Sequence, residues 1–218
     1  MKYLDRPQSG SQAGTTASRN RFGQYFRSRS TPVQPRTSAV LAQRARMAAN
    51  AQAWRTATDA QRAGWASLGE NIVRSDALGQ TYKLNGFAAF CSVNNNRLAA
   101  GDARVLDAPA IASPGTLSTL TITLTNAAFS LAYTATPLGT GVRLFVYVSP
   151  QRSAGVKFNP SYFLLTVTAA AAASPDNILA AYTAKYGVPV TGTKIWVSTS
   201  LYKDGFMGSP LAIGQVVA

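Results

Sequence analysis

The hydrophobic period changes partway along this chain, and that change limits the architectures open to it. Between Ser38 and Leu98 apolar residues recur at helical spacing, whereas from Leu117 onward they alternate with polar ones. A helix-period pattern does not settle into a strand, nor a period-two pattern into a helix. The expected class is therefore α+β, with a helical part followed by a β part. Charge divides at nearly the same place. Residues 1–105 carry 15 Lys+Arg against 5 Asp+Glu, and residues 106–218 carry 6 against 3. The expected organisation is an extended basic arm over 1–37, a domain of about three helices over 38–105, a linker over 106–116 and an antiparallel β-sandwich over 117–218.

The arm holds SGSQAG and then SRNRFGQYFRSRSTPVQPRT. Gly14 and Gly23, with Pro7, Pro32 and Pro35, oppose regular secondary structure. Phe22, Tyr25 and Phe26 are interleaved with Arg19, Arg21, Arg27 and Arg29, and Arg36 follows. A solvated tail seldom carries three aromatics in five positions. The mixture suits an arm that orders against a partner, its rings in pockets and its guanidiniums on carboxylates or phosphates. These eight residues are the candidate partner-binding set.

Ser38 to about Arg55 reads as a helix capped by Thr37 or Ser38, with Val40, Arg44, Met47, Ala51 and Trp54 on one face. Thr58-Asp59-Ala60-Gln61 fits a capping box opening a second helix, whose stripe is Gln61, Trp65, Leu68 and Ile72. Trp54 and Trp65 are expected to meet where these two helices pack. Gly79–Leu84 reads as a turn or short extended link. A third helix starts near Asn85 and runs to about Leu98, with Asn94 on its aromatic face beside Phe87, Phe90 and Cys91.

Strands are expected at 119–125, 128–136, 142–149, 162–168, 194–202 and 211–217, with a short helix at 178–186 stopped by Gly187. Six or so short antiparallel strands suggest a sandwich of immunoglobulin or fibronectin type III character, with Tyr133 and Trp196 in its core.

Composition excludes much catalysis. The chain has no histidine, which removes imidazole acid–base chemistry, the Ser-His-Asp triad and His-ligated zinc. Its one cysteine, Cys91, reads as a small buried thiol. Asp5, Asp59, Glu70, Asp76, Asp102, Asp107, Asp176 and Asp204 are scattered, with no pair suited to a carboxylate dyad or a metal cage. Gly139-Thr140-Gly141 lacks the lysine and following helix of a phosphate loop. A non-enzymatic protein without cofactor or metal is expected. No apolar run reaches the roughly 18–20 residues of a membrane span, and MKYLDRPQSGSQAG lacks a signal-peptide core. A soluble chain made in a cell, with no membrane partner, is expected. A net charge of +13 suits nucleic acid or an acidic protein. The second helix, however, offers only Arg62 and Arg74 with few other base-reading side chains on its outer face, and Ala60, Ala63, Gly64 and Ala66 are poor readers of base edges.

Residues Ser18–Arg104 resemble a group of phage and prophage proteins. The shared elements are the arginine/aromatic arm, the turn Thr31-Pro32-Val33-Gln34-Pro35-Arg36-Thr37, the hairpin residues Trp54, Thr58, Gln61, Arg62 and Trp65, then Leu84-Asn85-Gly86-Phe87 and Asn94–Arg97. The resemblance covers about two fifths of the chain and its motifs are structural. It implies a virion component of head, neck, tail or decoration, made in the bacterial host cytoplasm. Its partners would be other virion structural proteins, in a homo-oligomer or multi-copy assembly. Two other readings stand beside it. One is a coat or packaging protein whose basic arm binds nucleic acid, and the other is a carbohydrate-binding module using Tyr147, Tyr162 and Phe206.

Overall fold

The computed structural model describes residues 9–20, 23–31, 33–76, 78–134, 136, 138–158 and 161–218. The chain divides into two compact units, Met1–Gln43 and Arg44–Ala218. Its class is mixed α+β, and its sheets are antiparallel.

In the smaller unit, β1 (Gly10–Gln12), β2 (Thr15–Asn20) and β3 (Gly23–Ser28) form a three-stranded antiparallel meander. The expectation of an arm without regular structure is corrected over this stretch. The glycines that argued against strands sit at the turns. Gly14 follows Ala13, whose φ is 50°, and Gly23 opens β3 at φ 117°. Between the turns, Thr15, Thr16, Tyr25 and Phe26 favour a pleated backbone. The Arg29 amide closes the meander by donating to Gly14 O at 2.8 Å. The described residues 29–31 and 33–37 form neither helix nor strand, and the Thr37 carbonyl accepts from Leu41 at the start of α1 (Ser38–Arg55).

The unit boundary falls inside α1. The later part of that helix carries Asn50, fully buried, and Trp54. Next comes α2 (Asp59–Asn71), opened by the expected capping box: Gln61 N donates to Thr58 Oγ1 at 3.2 Å and Thr58 N to Gln61 Oε1 at 3.0 Å. The stretch after it is a hairpin of β4 (Val73–Ser75) and β5 (Thr81–Lys83), of which only the second strand was expected, as an extended link. α3 (Gly86–Ala100) follows, capped by Asn85 Oδ1, which accepts from Ala88 N at 2.7 Å. α2 packs along α3. A Cβ on Gly86 would come within 3.0 Å of Ala66 N, so the helices approach backbone to backbone there. The two tryptophans converge on Phe90 of α3: Trp65 meets its ring edge-on at 5.2 Å and Trp54 at 5.3 Å. The expected direct α1–α2 tryptophan contact is replaced by this shared ring, because α3 supplies the apolar face that α2 needs.

The segment after α3, which includes the stretch read as a linker, is held by side chains. Leu106 O accepts from Trp65 Nε1 at 2.6 Å. Asn94 exchanges two hydrogen bonds with the Val105 backbone, and Arg104 Nε donates to Asn50 Oδ1 at 2.8 Å. Buried polar groups need such partners, and each of these loop residues satisfies one.

The β part begins with β6 (Thr119–Leu124) and β7 (Phe129–Thr134), continues through β8 (Arg143–Val148), β9 (Arg152–Ser153), β10 (Phe163–Val167) and β11 (Asp176–Asn177), and passes through α4 (Leu179–Tyr186). It ends with β12 (Thr193–Lys203), β13 (Phe206–Met207) and β14 (Leu211–Val216). β12 is the hub of a six-stranded sheet, pairing with β8, β9, β13 and β14, while β10 pairs with β8. A three-stranded sheet has the order β11-β7-β6. Leu120, Leu124, Phe129 and Leu131 of the smaller sheet share one core with Leu144, Val146, Ile195 and Val197 of the larger, and Tyr182 of α4 fills it. Tyr133 is in this core as expected, its hydroxyl donating to Asp176 Oδ2 at 2.7 Å. Trp196 is not. Alternation along β12 sends Ile195 and Val197 inward, which puts Trp196 on the opposite face. There it lies over Gly214 with Lys194 Nζ 4.5 Å from its ring.

Candidate docking site on the N-terminal sheet

The register of the meander decides which candidate residues meet. Thr16 faces Arg27, Ser18 faces Tyr25 and Ser11 faces Thr16, so these five share one face of the sheet. Ala17 opposite Phe26, and Arg19 opposite Gln24, occupy the other. Each face thus pairs an aromatic with an arginine. Tyr25 and Phe26 are 40% and 39% exposed. Arg36 lies in the irregular segment before α1, exposed and off the sheet. Arg21 and Phe22 fall outside the described residues.

On the first face the sheet borders a cleft of about 260 Å³ lined by Ser11, Thr16, Arg27, Ser28, Arg29 and Ser30. Ser11 and Thr16 hydroxyls lie 2.9 Å apart within it. Sequence reasoning named the two arginines and missed the four hydroxyl residues. The signal for them was present in the period-two pairing of TTAS with YFRS, once that stretch is read as a strand.

No described residue from Ser9 to Gln43 is buried. A three-stranded sheet needs a hydrophobic face or a helix against it to be stable alone, and neither face here has an apolar set. Elsewhere arginines serve the chain's own fold. Arg62 donates to the carbonyls of Trp54 and Arg55 at the C-terminal end of α1, a favourable place for a cation. Arg74 reaches Ser92 Oγ, Arg97 reaches Ala103 O and Arg143 pairs with Asp102 at 2.8 Å. Arg19, Arg27, Arg29 and Arg36 are exposed. From Arg6 to Thr58 the chain has no Asp or Glu at all, against nine arginines.

A second cleft, of about 370 Å³, lies between β4, α3 and β13, with Arg74, Ser92 and Asn96 at its polar side and Val93, Phe206 and Met207 at its apolar side. Burial pushes the Cys91 thiol above its usual range, which keeps it protonated and poorly nucleophilic. Among the described residues no group of three or more His, Cys, Asp and Glu is placed to hold a metal ion, and no helix is long and apolar enough to cross a membrane. Tyr147, Tyr162 and Phe206, the rings of the carbohydrate reading, are all partly buried, and Phe206 packs on the helical core. Comparison of the chain with protein-family models, curated proteins and solved structures finds no match in any of the three.

Proposed function

We propose that this chain is a non-enzymatic structural component of a bacteriophage virion, anchored to neighbouring subunits through its N-terminal sheet. The observation that carries the reading is a strand meander with no buried residue among those described, whose charged strand residues are Arg19 and Arg27, presenting an aromatic ring on each face. Such an element gains its stabilising burial from another molecule, as coupled ordering and binding requires. Phe26 with Ala17, and the position of β1 and β3 at the two ends of the sheet order among the described residues, suit docking on a protein surface by apolar contact and strand addition. The larger unit is the module that the anchor holds. Its two antiparallel sheets around one core support an immunoglobulin or fibronectin type III-like sandwich, an architecture suited to presenting a rigid surface.

Deletion of residues 1–37 tests the proposal. The truncated chain should stay folded and soluble, because its buried cores lie beyond Gln43, yet fail to enter particles that incorporate the full chain. Normal incorporation of the truncated chain would overturn the reading.

A further inference from the structure

We propose that the Thr16/Arg27 face of the N-terminal sheet is a binding site for single-stranded nucleic acid. A backbone phosphate would lie in the cleft between Arg27 and Arg29, and a base would stack on Tyr25. This goes beyond the anchoring role, which uses the opposite face and the sheet edges. The geometry points to phosphate in three ways. Arg27, Arg29, Ser11, Thr16, Ser28 and Ser30 line one cleft, Arg27 and the Ser11 and Thr16 hydroxyls lie on the face that borders it, and none of its lining residues is acidic. Planar arginine forks and neutral hydroxyl donors together match the two free oxygens of a phosphodiester. The cleft lies within a run of chain, Arg6–Thr58, that contains no carboxylate side chain to compete for those arginines.

A further observation, Tyr25, points to nucleic acid. Tyr25 lies on the same face as Arg27, two residues along β3, and is 40% exposed. Two strand residues span about 7 Å, so the ring and the cleft are adjacent. An exposed ring beside a cationic, hydroxyl-lined groove is the arrangement that holds single strands without reading sequence, through stacking and backbone contact. Double-stranded DNA would bury its base faces and leave Tyr25 idle.

The test uses the full chain and a fluorescent oligothymidylate, followed by anisotropy at several salt concentrations. Arg27→Gln with Arg29→Gln should weaken binding at least about tenfold at low salt and lower the salt slope by about 0.7, since each phosphate neutralised on a single strand contributes about 0.7. The charge-matched pair Arg152→Gln with Lys157→Gln, on exposed residues of the larger unit, should change the slope little. Arg27→Lys with Arg29→Lys should keep the slope while weakening binding, because charge survives and the fork does not. Tyr25→Ala should weaken binding at least about fivefold with the slope unchanged, and Tyr25→Phe should restore it. Circular dichroism confirms that each variant keeps its fold; should the glutamine pair lose it, the lysine and Tyr25 variants decide. Equal loss from the charge-matched control would overturn the cleft as the site. So would displacement of the oligonucleotide by polyglutamate as readily as by polyphosphate, which would make an acidic protein the partner. Indifference to Tyr25→Ala would overturn the stacking role.

Discussion

The Tyr202 hydroxyl donates to Asp102 Oδ2 at 2.6 Å, joining residues 100 positions apart. Asp102 Oδ1 accepts from Arg143 Nη2 at 2.8 Å, and Arg143 also donates to Ala100 O at the end of α3. One carboxylate therefore ties the helix C-terminus to β8 and β12. Ala100 packs with Phe145 and Tyr202 beneath that contact.

Removing this carboxylate should destabilise the larger unit by about 2–3 kcal/mol, since Asp102→Ala leaves a half-buried guanidinium without its counter-ion and a buried phenol unpaired. Tyr202→Phe should cost about 1–1.5 kcal/mol. The double variant should cost less than the two losses added together, because the groups share one bond. Urea unfolding of the three variants measures this coupling.

Phe90 is the shared ring of the helical core, touched by both tryptophans. Phe90→Ala should cost about 3–5 kcal/mol through lost burial and the cavity left behind, and Phe90→Leu considerably less. Tryptophan emission of the alanine variant should shift to the red as water reaches Trp54 and Trp65, and an unshifted spectrum would contradict the packing.

Gly205 and Gly187 both have positive φ, 96° and 84°. A Cβ at Gly205 would strike Val93 of α3, whereas one at Gly187 would meet nothing within 4 Å. Gly187→Ala should cost about 1–3 kcal/mol, the strain of a backbone at φ 84° and ψ 175° that is essentially restricted to glycine. Gly205→Ala should cost at least about 2 kcal/mol, since overpacking is added. Thermal melting of the two variants distinguishes the terms.

Stability should fall at alkaline pH. Burial raises the phenols of Tyr133, Tyr182 and Tyr202 above their ordinary value of 10.0; hydrogen bonds to Asp176 and Asp102 add to this for Tyr133 and Tyr202, and Tyr186 adds to it for Tyr182. Their contribution is complete below about pH 10. Above it the unfolded chain releases protons that the folded chain retains, so stability is lost as pH rises, by up to about 1.4 kcal/mol per unit for each phenol. Urea midpoints between about pH 9 and about pH 11 should show the loss. Tyr202→Phe should make the decline shallower.

Local rules carried much of the fold. The α1 start, the Thr58–Gln61 capping box, the Asn85 cap and the main strands of the β part all lie where period and capping chemistry put them, because each depends on residues within a few positions. Trp196 shows where such rules stop. Its strand was legible, yet which face of β12 meets the core depends on the sheet that packs there, and that sheet is β6, β7 and β11, distant in sequence. The tryptophan pair failed for a similar reason: α2 has one apolar face, and only tertiary packing chose α3 over α1 as its partner.

The N-terminal site divides in the same way. Composition alone determined that the first part of the chain is arginine-rich, interleaved with aromatics and poor in carboxylates. Pairing of β2 with β3 decided which arginine shares a face with which ring, and pairing of β1 with β2 brought Ser11 beside Thr16 on the face of Arg27. A one-residue change of register would put Arg27 with Ala17 or Thr15 and dissolve the cleft. Charge and ring content are properties of the residues themselves, whereas a binding face exists only once hydrogen bonds between strands have fixed the register.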